Sequence, residues 1–339
     1  MGGTSPIGVQ LSQKFLRSLD RVYRLVHFGR MSENAALDPI IANIERKWRD
    51  SGIPGIYEGG NGPVSRERAR NVRALLYPKP KLAAGKIERA EISGPNGPIT
   101  IEIVRPRPDA LKGGEPNGTL VYFHGGGWVW ANVDTHDRMT REYAASGGVN
   151  VVSVDYALSP EAKFPQALEE CAAVVEWIAE NGASWGLNQE RLLVGGDSAG
   201  GNLALATALL LRDRGEPQLR GILANYPVAD SRFDTPSYRE FGPGGYGLNL
   251  ERMSFYWSVY IAHEADRLNP LAAPLRADLS GLPPVLVLLA ELDMLRSEGE
   301  ALVDKLRAAG NAVETKTFSG VVHGFLRATE AVQKARDAV

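Results

Sequence analysis

Five consecutive residues, Gly196-Asp197-Ser198-Ala199-Gly200, have the form Gly-x-Ser-x-Gly. A serine hydroxyl is a weak nucleophile unless a neighbouring base takes its proton, and it must stand clear of the backbone around it. A sharp strand-to-helix turn does this, and the glycines are needed because side chains at either flank would collide with the turn. The turn also places the next N–H, that of Ala199, at a helix N-terminus, where negative charge is favoured. Alone the pentapeptide is weak evidence, since with 37 glycines in the chain about one shuffled sequence in five would contain it. Its setting strengthens it. Leu192-Leu193-Val194 reads as a buried strand directly before, and Leu203 to Leu211 as a helix directly after, which is the order the chemistry requires.

A second glycine run, His124-Gly125-Gly126-Gly127-Trp128, follows an apolar stretch ending at Phe123. Glycines let the backbone approach a substrate oxygen and aim N–H groups at it, as an oxyanion hole demands. His followed by three glycines arises by chance in on the order of 1% of such chains. A metal role for His124 would need companion ligands, and none is suggested. The base follows by elimination. Of five histidines, His27, His124, His136, His263 and His323, the order nucleophile, acid, base leaves those after Ser198. His263 precedes any good acid, whereas His323 lies in a loop just past the last expected strand. Asp293, just beyond the strand expected at Val285 to Ala290, is the acid candidate, with Glu291 as its rival; Asp304 is expected within a helix, facing solvent. The reaction indicated is acyl transfer, and Trp128, Tyr156 and the aromatics of the segment 230–265 are candidate pocket lining, with plain core packing equally open for each.

The elements that must position these groups alternate. Strands are expected at 87–92 and 99–104, joined by a hairpin at Pro95-Asn96-Gly97, then at 119–123, 149–154, 191–194, 222–225, 285–290 and 313–318. Helices are expected at 166–180, after Ser198, at 297–309 and from about 324. Such alternation predicts an α/β fold with a mostly parallel sheet covered by helices on both faces. Residues 1–80 read as helical: apolar residues recur from Val9 to Val26, Asp38-Pro39 has the form of an N-cap with proline at the first helical position, and a third helix is expected after Ser65. Residues 230–265, rich in aromatics and glycine, delay the next strand far beyond a usual loop. They read as a helical insertion over the C-terminal edge of the sheet, where open α/β sheets bind ligands.

Composition excludes several classes of partner. The 339 residues carry 38 Lys and Arg against 40 Asp and Glu, so no long-range field attracts nucleic acid or an anionic membrane. A single cysteine, Cys171, allows no internal disulfide, and its setting is that of a small buried hydrophobe. No apolar run reaches the ~20 residues that cross a bilayer, and no secretory signal is visible. The chain reads as soluble and cytoplasmic, acting on a small neutral molecule, with no stable membrane association.

The glycine run, Gly196 to Gly201, Asp155-Tyr156 with Pro160-Glu161, Phe164-Pro165, Leu279 to Pro284, and Asp293 and His323 together resemble the hormone-sensitive-lipase-like esterases of the α/β-hydrolase superfamily, in the branch marked by Gly-Asp-Ser-Ala-Gly. The resemblance covers most of the chain from about residue 85. It implies an α/β-hydrolase fold in which residues 81–339 form the catalytic domain. Residues 1–80 and the insertion at 230–265 would form a helical cap. It further implies oxyanion donors at the N–H groups of Gly126, Gly127 and Ala199, and a structural role for His124. The activity implied is that of a carboxylesterase for short acyl chains, without a cofactor and often homodimeric. The chain departs from the family pattern in three places: the stretch Tyr156 to Glu161 lacks the usual arginine and has Ser159 for alanine, Met294 stands where proline follows the acid, and the N-terminal segment carries no strong family signature. An amidase, peptidase or acyltransferase would use the same triad. A lipase acting at interfaces is disfavoured by the balanced charge. A non-catalytic receptor on this fold typically lacks the base that His323 would supply.

Overall fold

The computed structural model describes residues 37–50, 66, 84–111, 114–329, 335 and 337–338. The apolar stripe at 9–26 and the helix expected after Ser65 lie outside these residues, apart from Arg66. The Asp38-Pro39 start is described: helix α1 runs Pro39–Asp50, and the Asp38 carboxylate accepts the Ile40 N–H at 3.0 Å.

Among the described residues, eight strands form one sheet: β1 (Ile87–Gly94), β2 (Gly97–Val104), β3 (Thr119–Phe123), β4 (Asn150–Asp155), β5 (Leu192–Asp197), β6 (Gly221–Asn225), β7 (Val285–Leu292) and β8 (Val313–Val322). Their spatial order is β1-β2-β4-β3-β5-β6-β7-β8. β2 pairs antiparallel with both β1 and β4, and every pair from β4 to β8 is parallel. The hairpin closes at the Gly94–Gly97 pair around Pro95-Asn96. In the centre of the sheet every residue of β3 is buried, the near-continuous apolar pattern of a strand covered on both faces.

Helices α2 (Val133–Gly147), α3 (Gln166–Asn181), α4 (Ala199–Arg214) and α7 (Arg296–Ala308) lie along the sheet. α4 follows β5 and is apolar nearly all round, with Ala, Leu and Gly on every face. That is the signature of a helix buried between the sheet and its neighbours. The insertion holds two short helices, α5 (Pro236–Phe241) and α6 (Leu250–Tyr260). α6 is capped by Asn249, whose side chain accepts the Arg252 N–H at 2.9 Å. It buries Met253, Trp257 and Tyr260, positions four and three apart that share one face.

The strand order sets the site. From β3 the chain moves outward to β4 and then returns past β3 to β5, so the loops after β3 and β5 leave adjacent strands at one edge. Phe123 pairs with Gly196, which places the glycine run beside the serine turn. At the other side of the elbow, β8 is four residues longer than the sequence suggests. Its pairing with β7 runs from Val285–Val313 to Ala290–Phe318, breaks, and resumes at Leu292–Val322. The irregularity takes up Ser319 to Val321, where Gly320 has φ 69° and donates its N–H to the Glu291 carboxylate at 2.6 Å. Ser319-Gly320 reads locally as a turn; the bulge absorbs it and lets the strand continue. Where a helix is expected from about 324, the chain opens with a 3-10 turn, Phe325–Ala328, after Gly324 at φ 79°; most of the remainder lies outside the described residues, among which Ala335 is helical.

Candidate active site

Ser198 is the residue between β5 and α4, at φ 57° and ψ −119°. A non-glycine residue with positive φ in this region is strained and persists only where its surroundings hold it. Those surroundings are specific. The Ser198 N–H donates to the Asn225 carbonyl at 2.9 Å, while its own carbonyl accepts from Asn202 N at 3.0 Å and Val228 N at 3.2 Å. The Asn202 side chain is buried and donates to the carbonyls of Val228 and Ala272, both at 2.9 Å.

The flanking glycines are required by close approach. A Cβ on Gly200 would lie 2.6 Å from the Phe123 carbonyl carbon and 2.8 Å from that of His124; one on Gly196 would lie 2.5 Å from the Phe123 oxygen. These obstacles are backbone atoms that cannot rotate away. Gly200→Ala is expected to cost roughly 1–3 kcal/mol of stability by overpacking and to push the loop after β3 off its position. A urea midpoint equal to wild type would contradict this.

The structure brings together Ser198, His323 and Asp293. Leu292 and Val322 are paired, so Asp293 and His323 leave β7 and β8 side by side. The Asp293 Oδ2 accepts the His323 Nδ1–H at 2.7 Å, and the Ser198 hydroxyl donates to Nε2 at 2.8 Å. Asp293 is buried, and its Oδ1 accepts the Leu295 N–H at 2.9 Å. The Tyr226 ring packs edge-on against the imidazole with centroids 4.9 Å apart. Glu291 does not join this chain, because its carboxylate is taken by Gly320. Asp304 is exposed within α7.

The glycine run turns tightly, with Gly126 at φ 136° and Gly127 at φ 63°. The Gly126 carbonyl accepts from Val129 N at 3.2 Å and Trp130 N at 2.9 Å. Ala199 opens α4, where the first N–H groups have no intrahelical acceptor. The ring of Tyr256, from α6, lies so close to Gly127 that any Cβ there would meet it at 2.5 to 2.7 Å. Residue-type patterns in the insertion do not single out this tyrosine.

Trp128 and Tyr156, candidates for pocket lining by sequence, are 0% and 2% exposed. Trp128 stacks on Tyr260 at 4.0 Å and meets Trp257 edge-on, tying the glycine run to α6. Tyr156 stacks on the His124 ring at 4.2 Å and donates its hydroxyl to the His124 carbonyl at 2.6 Å. Both rings are spent on packing beneath the loop. His124 is fully buried, with Nδ1 3.1 Å from the Gly125 carbonyl oxygen.

One group that sequence reasoning treated only as a family mark is central to this packing. Asp197 is fully buried, and its Oδ1 accepts the Gly125 N–H at 2.9 Å and the Tyr122 hydroxyl at 3.0 Å. His136 Nε2 lies 3.2 Å from the same oxygen. Burial works against the charge on Asp197, but the His136 imidazole, the Arg327 charge and the Gly125 N–H outweigh it. They hold the carboxyl well below its usual range. Asp197 therefore joins the serine turn to the glycine run. Among the described residues, no group of three or more His, Cys, Asp or Glu side chains could hold a metal ion, and no helix is long and apolar enough to cross a membrane.

Comparison with known proteins agrees with this fold. A family model described as alpha/beta hydrolase fold matches residues 120–327. The chain is 33% identical over 314 residues to the carboxylic ester hydrolase LipN of Mycobacterium tuberculosis, covering 89% of this chain and 81% of that protein. It is 36% identical over 254 residues to an acetyl esterase of Salmonella typhi, covering 73% and 76%. Among solved structures, a thermostable esterase from Pseudomonas putida superposes with a TM-score of 0.84 at 32% identity, covering 91% of this chain and 95% of that one. A hyperthermophilic esterase from Pyrobaculum calidifontis does so with a TM-score of 0.81 at 35% identity, covering 89% and 95%. The paired strand ends, the strained serine and the glycine run thus sit in a fold shared along most of the chain, which belongs to the α/β-hydrolase fold family, among its hormone-sensitive-lipase-like esterases.

Proposed function

We propose that the protein is a carboxylesterase acting on small esters of short acyl chains, with Ser198 as nucleophile, His323 as general base and Asp293 as the carboxylate that orients it. The observation that carries this reading is the unbroken chain Ser198 Oγ to His323 Nε2 at 2.8 Å and His323 Nδ1 to Asp293 Oδ2 at 2.7 Å. With Nδ1–H donating to Asp293, Nε2 is left as the acceptor that takes the serine proton. Attack of Oγ on the ester carbonyl forms the C–O bond of a tetrahedral intermediate, whose oxyanion the N–H groups of Gly126, Gly127 and Ala199 would receive. The proton on Nε2 then passes to the departing alcohol, leaving an acyl-enzyme. Water, deprotonated by the same Nε2, releases the acid and restores Ser198. Asp293 stays ionised throughout and stabilises the imidazolium.

The relatives named as esterases, including an acetyl esterase, support ester over amide cleavage and a short acyl group. Tyr256, packed on Gly127, supports a narrow floor to the site. We further assign the insertion, with α5 and α6, to a cap over the sheet edge. A fluorophosphonate probe is expected to label Ser198. Across the p-nitrophenyl acetate, butyrate, octanoate and palmitate series, kcat/KM is expected to be at least about tenfold lower for octanoate than for butyrate. A matched anilide should turn over far more slowly than the ester. No labelling at Ser198, or a preference for the anilide, would overturn the assignment.

A further inference from the structure

The first turn of α7 touches three parts of the site at once. Just before it, Leu295 N holds the Asp293 carboxylate. Ser297 exchanges hydrogen bonds with Ser237 of α5, the hydroxyls 2.6 Å apart and each also accepting the other residue's N–H, at 3.1 and 3.2 Å. Glu298 points the other way. Its Oε1 accepts the Ala229 N–H at 2.8 Å. The Ala229 carbonyl accepts from Leu275 N, and the residue before it, Val228, donates to the Ser198 carbonyl. One side chain of α7 therefore grips the turn after β6 on which the strained nucleophile rests.

We propose that Glu298 is a positioning residue for the reaction, bracing the turn that supports Ser198 against the loop that carries Asp293. The inference rests on the esterase reading given above. It goes beyond the triad and the oxyanion donors, because Glu298 touches no reacting atom. A carboxyl in this place is chemically unusual. It is 1% exposed, and its second oxygen, Oε2, is buried beside the Tyr238 hydroxyl of α5. The groups facing it are acidic or neutral: Asp230, Asp293 and Tyr238, with N–H groups from Ala229 and Asp230. Asp230 itself pairs with two arginines, Arg232 and Arg276, at 2.9 and 2.8 Å. Burial, and then the like charges of Asp230 and Asp293, push the Glu298 carboxyl well above its usual range, against the pull of the two N–H groups.

A neutral Glu298 serves two ends. It adds no second negative charge beside Asp293, whose own charge the imidazolium needs. Its carbonyl oxygen still accepts from Ala229, so the brace does not require ionisation. Glutamine reproduces this state almost atom for atom: an acceptor for Ala229 and a donor in place of the carboxyl proton. Alanine and methionine do not, since each leaves the buried Ala229 N–H without its acceptor.

The test compares wild type with E298Q, E298A and E298M on p-nitrophenyl butyrate and by thermal melting. E298A is expected to lower kcat at least about 30-fold while changing KM less than about threefold, because the turn under Ser198 shifts and the substrate pocket does not. E298Q is expected to restore kcat to within about threefold of wild type. Should E298A not fold, E298M, which keeps the volume and removes the acceptor, is read in its place. The melting arm reports the proton. A carboxyl whose pKa is raised by folding contributes stability that is complete below its unfolded pKa and is lost as pH rises toward the folded value. The Tm of E298Q minus that of wild type is therefore expected to widen by at least about 2 °C between about pH 5 and about pH 8. A constant difference would show an ionised Glu298 and remove its neutral state, while the kinetic arm decides the brace: E298A or E298M with wild-type kcat, a parallel rise in KM, or E298Q as slow as E298A would overturn the proposal. Wild type is assayed first: an inactive wild type would overturn the esterase reading itself and this inference with it, whereas an active wild type with an unaffected E298A overturns this inference alone.

Discussion

Replacing Ser198 by alanine is expected to lower kcat on p-nitrophenyl butyrate by on the order of 10⁵- to 10⁶-fold. The size follows from the roles of the three residues as a unit. Without Oγ, His323 Nε2 at its 2.8 Å position has no serine proton to take, and no acyl-enzyme forms. What survives is binding and the N–H groups of the glycine run, which alone leave modest acceleration over water. The fold should survive as well. Serine and alanine suffer the same penalty at φ 57°, since both carry a Cβ and little else against the backbone. The bonds that hold the turn, from Ser198 N to Asn225 and from Asn202 and Val228 to the Ser198 carbonyl, use the main chain alone. The measurement is steady-state kinetics beside a melting curve. A loss of only tenfold in a folded protein would remove Ser198 as nucleophile.

Replacing Asp293 by asparagine is expected to lower kcat by about 10⁴-fold, through the direction in which the amide must point. Asp293 Oδ1 accepts the Leu295 N–H at 2.9 Å, so an asparagine here keeps its oxygen on that side to avoid setting two donors together. Its NH₂ then faces His323 Nδ1 in place of the oxygen now 2.7 Å away. Nδ1 must become the acceptor, the ring proton moves to Nε2, and the base presents a proton to Ser198 instead of a lone pair. Substrate contacts do not change, so KM should hold while kcat falls. Glu291→Gln is the matching control. Glutamine can still accept from Gly320 N, and activity should stay within about threefold. If the two variants exchanged these outcomes, the acid of the triad would be Glu291.

These expectations separate what was legible in the chain from what was not. The serine turn, the strand before it and the helix after it could be read directly, because each depends on local chemistry: apolar runs, glycines where backbone crowds, and a residue type that can be activated. The hairpin at Pro95-Asn96 and the start of α1 at Asp38-Pro39 are local in the same way. The sequence predicts that β8 ends at Phe318, since Ser319-Gly320 has turn chemistry; only its pairing with β7 carries the strand on to Val322. For Trp128 and Tyr156 the sequence leaves pocket lining and core packing equally open, because a buried aromatic suits either. Their partners, Tyr260 and His124, come from positions that no spacing rule connects to them. The structural parts played by Asp197 and Glu298 are not legible for a related reason. Carboxylates are ordinarily exposed, and nothing in the sequence says that these two are buried.

The sequence by itself singled out the residues proposed as nucleophile and base, and the glycine-rich character of the loop beside them. Glycines that no other residue can replace at a close approach, and one histidine after Ser198 in the right place, leave few alternatives. Tertiary structure decided which carboxylate serves that histidine and what holds the serine in its strained turn. Asp293 reaches His323 because a bulge in β8 puts Leu292 opposite Val322, and the same bulge occupies Glu291 with Gly320. The physical reason is range. A turn's geometry is fixed by the few dihedral angles of the residues that make it, whereas a partner 30 residues away, or 125 in the case of Ser198 and His323, is chosen by strand register and by the packing of the whole sheet.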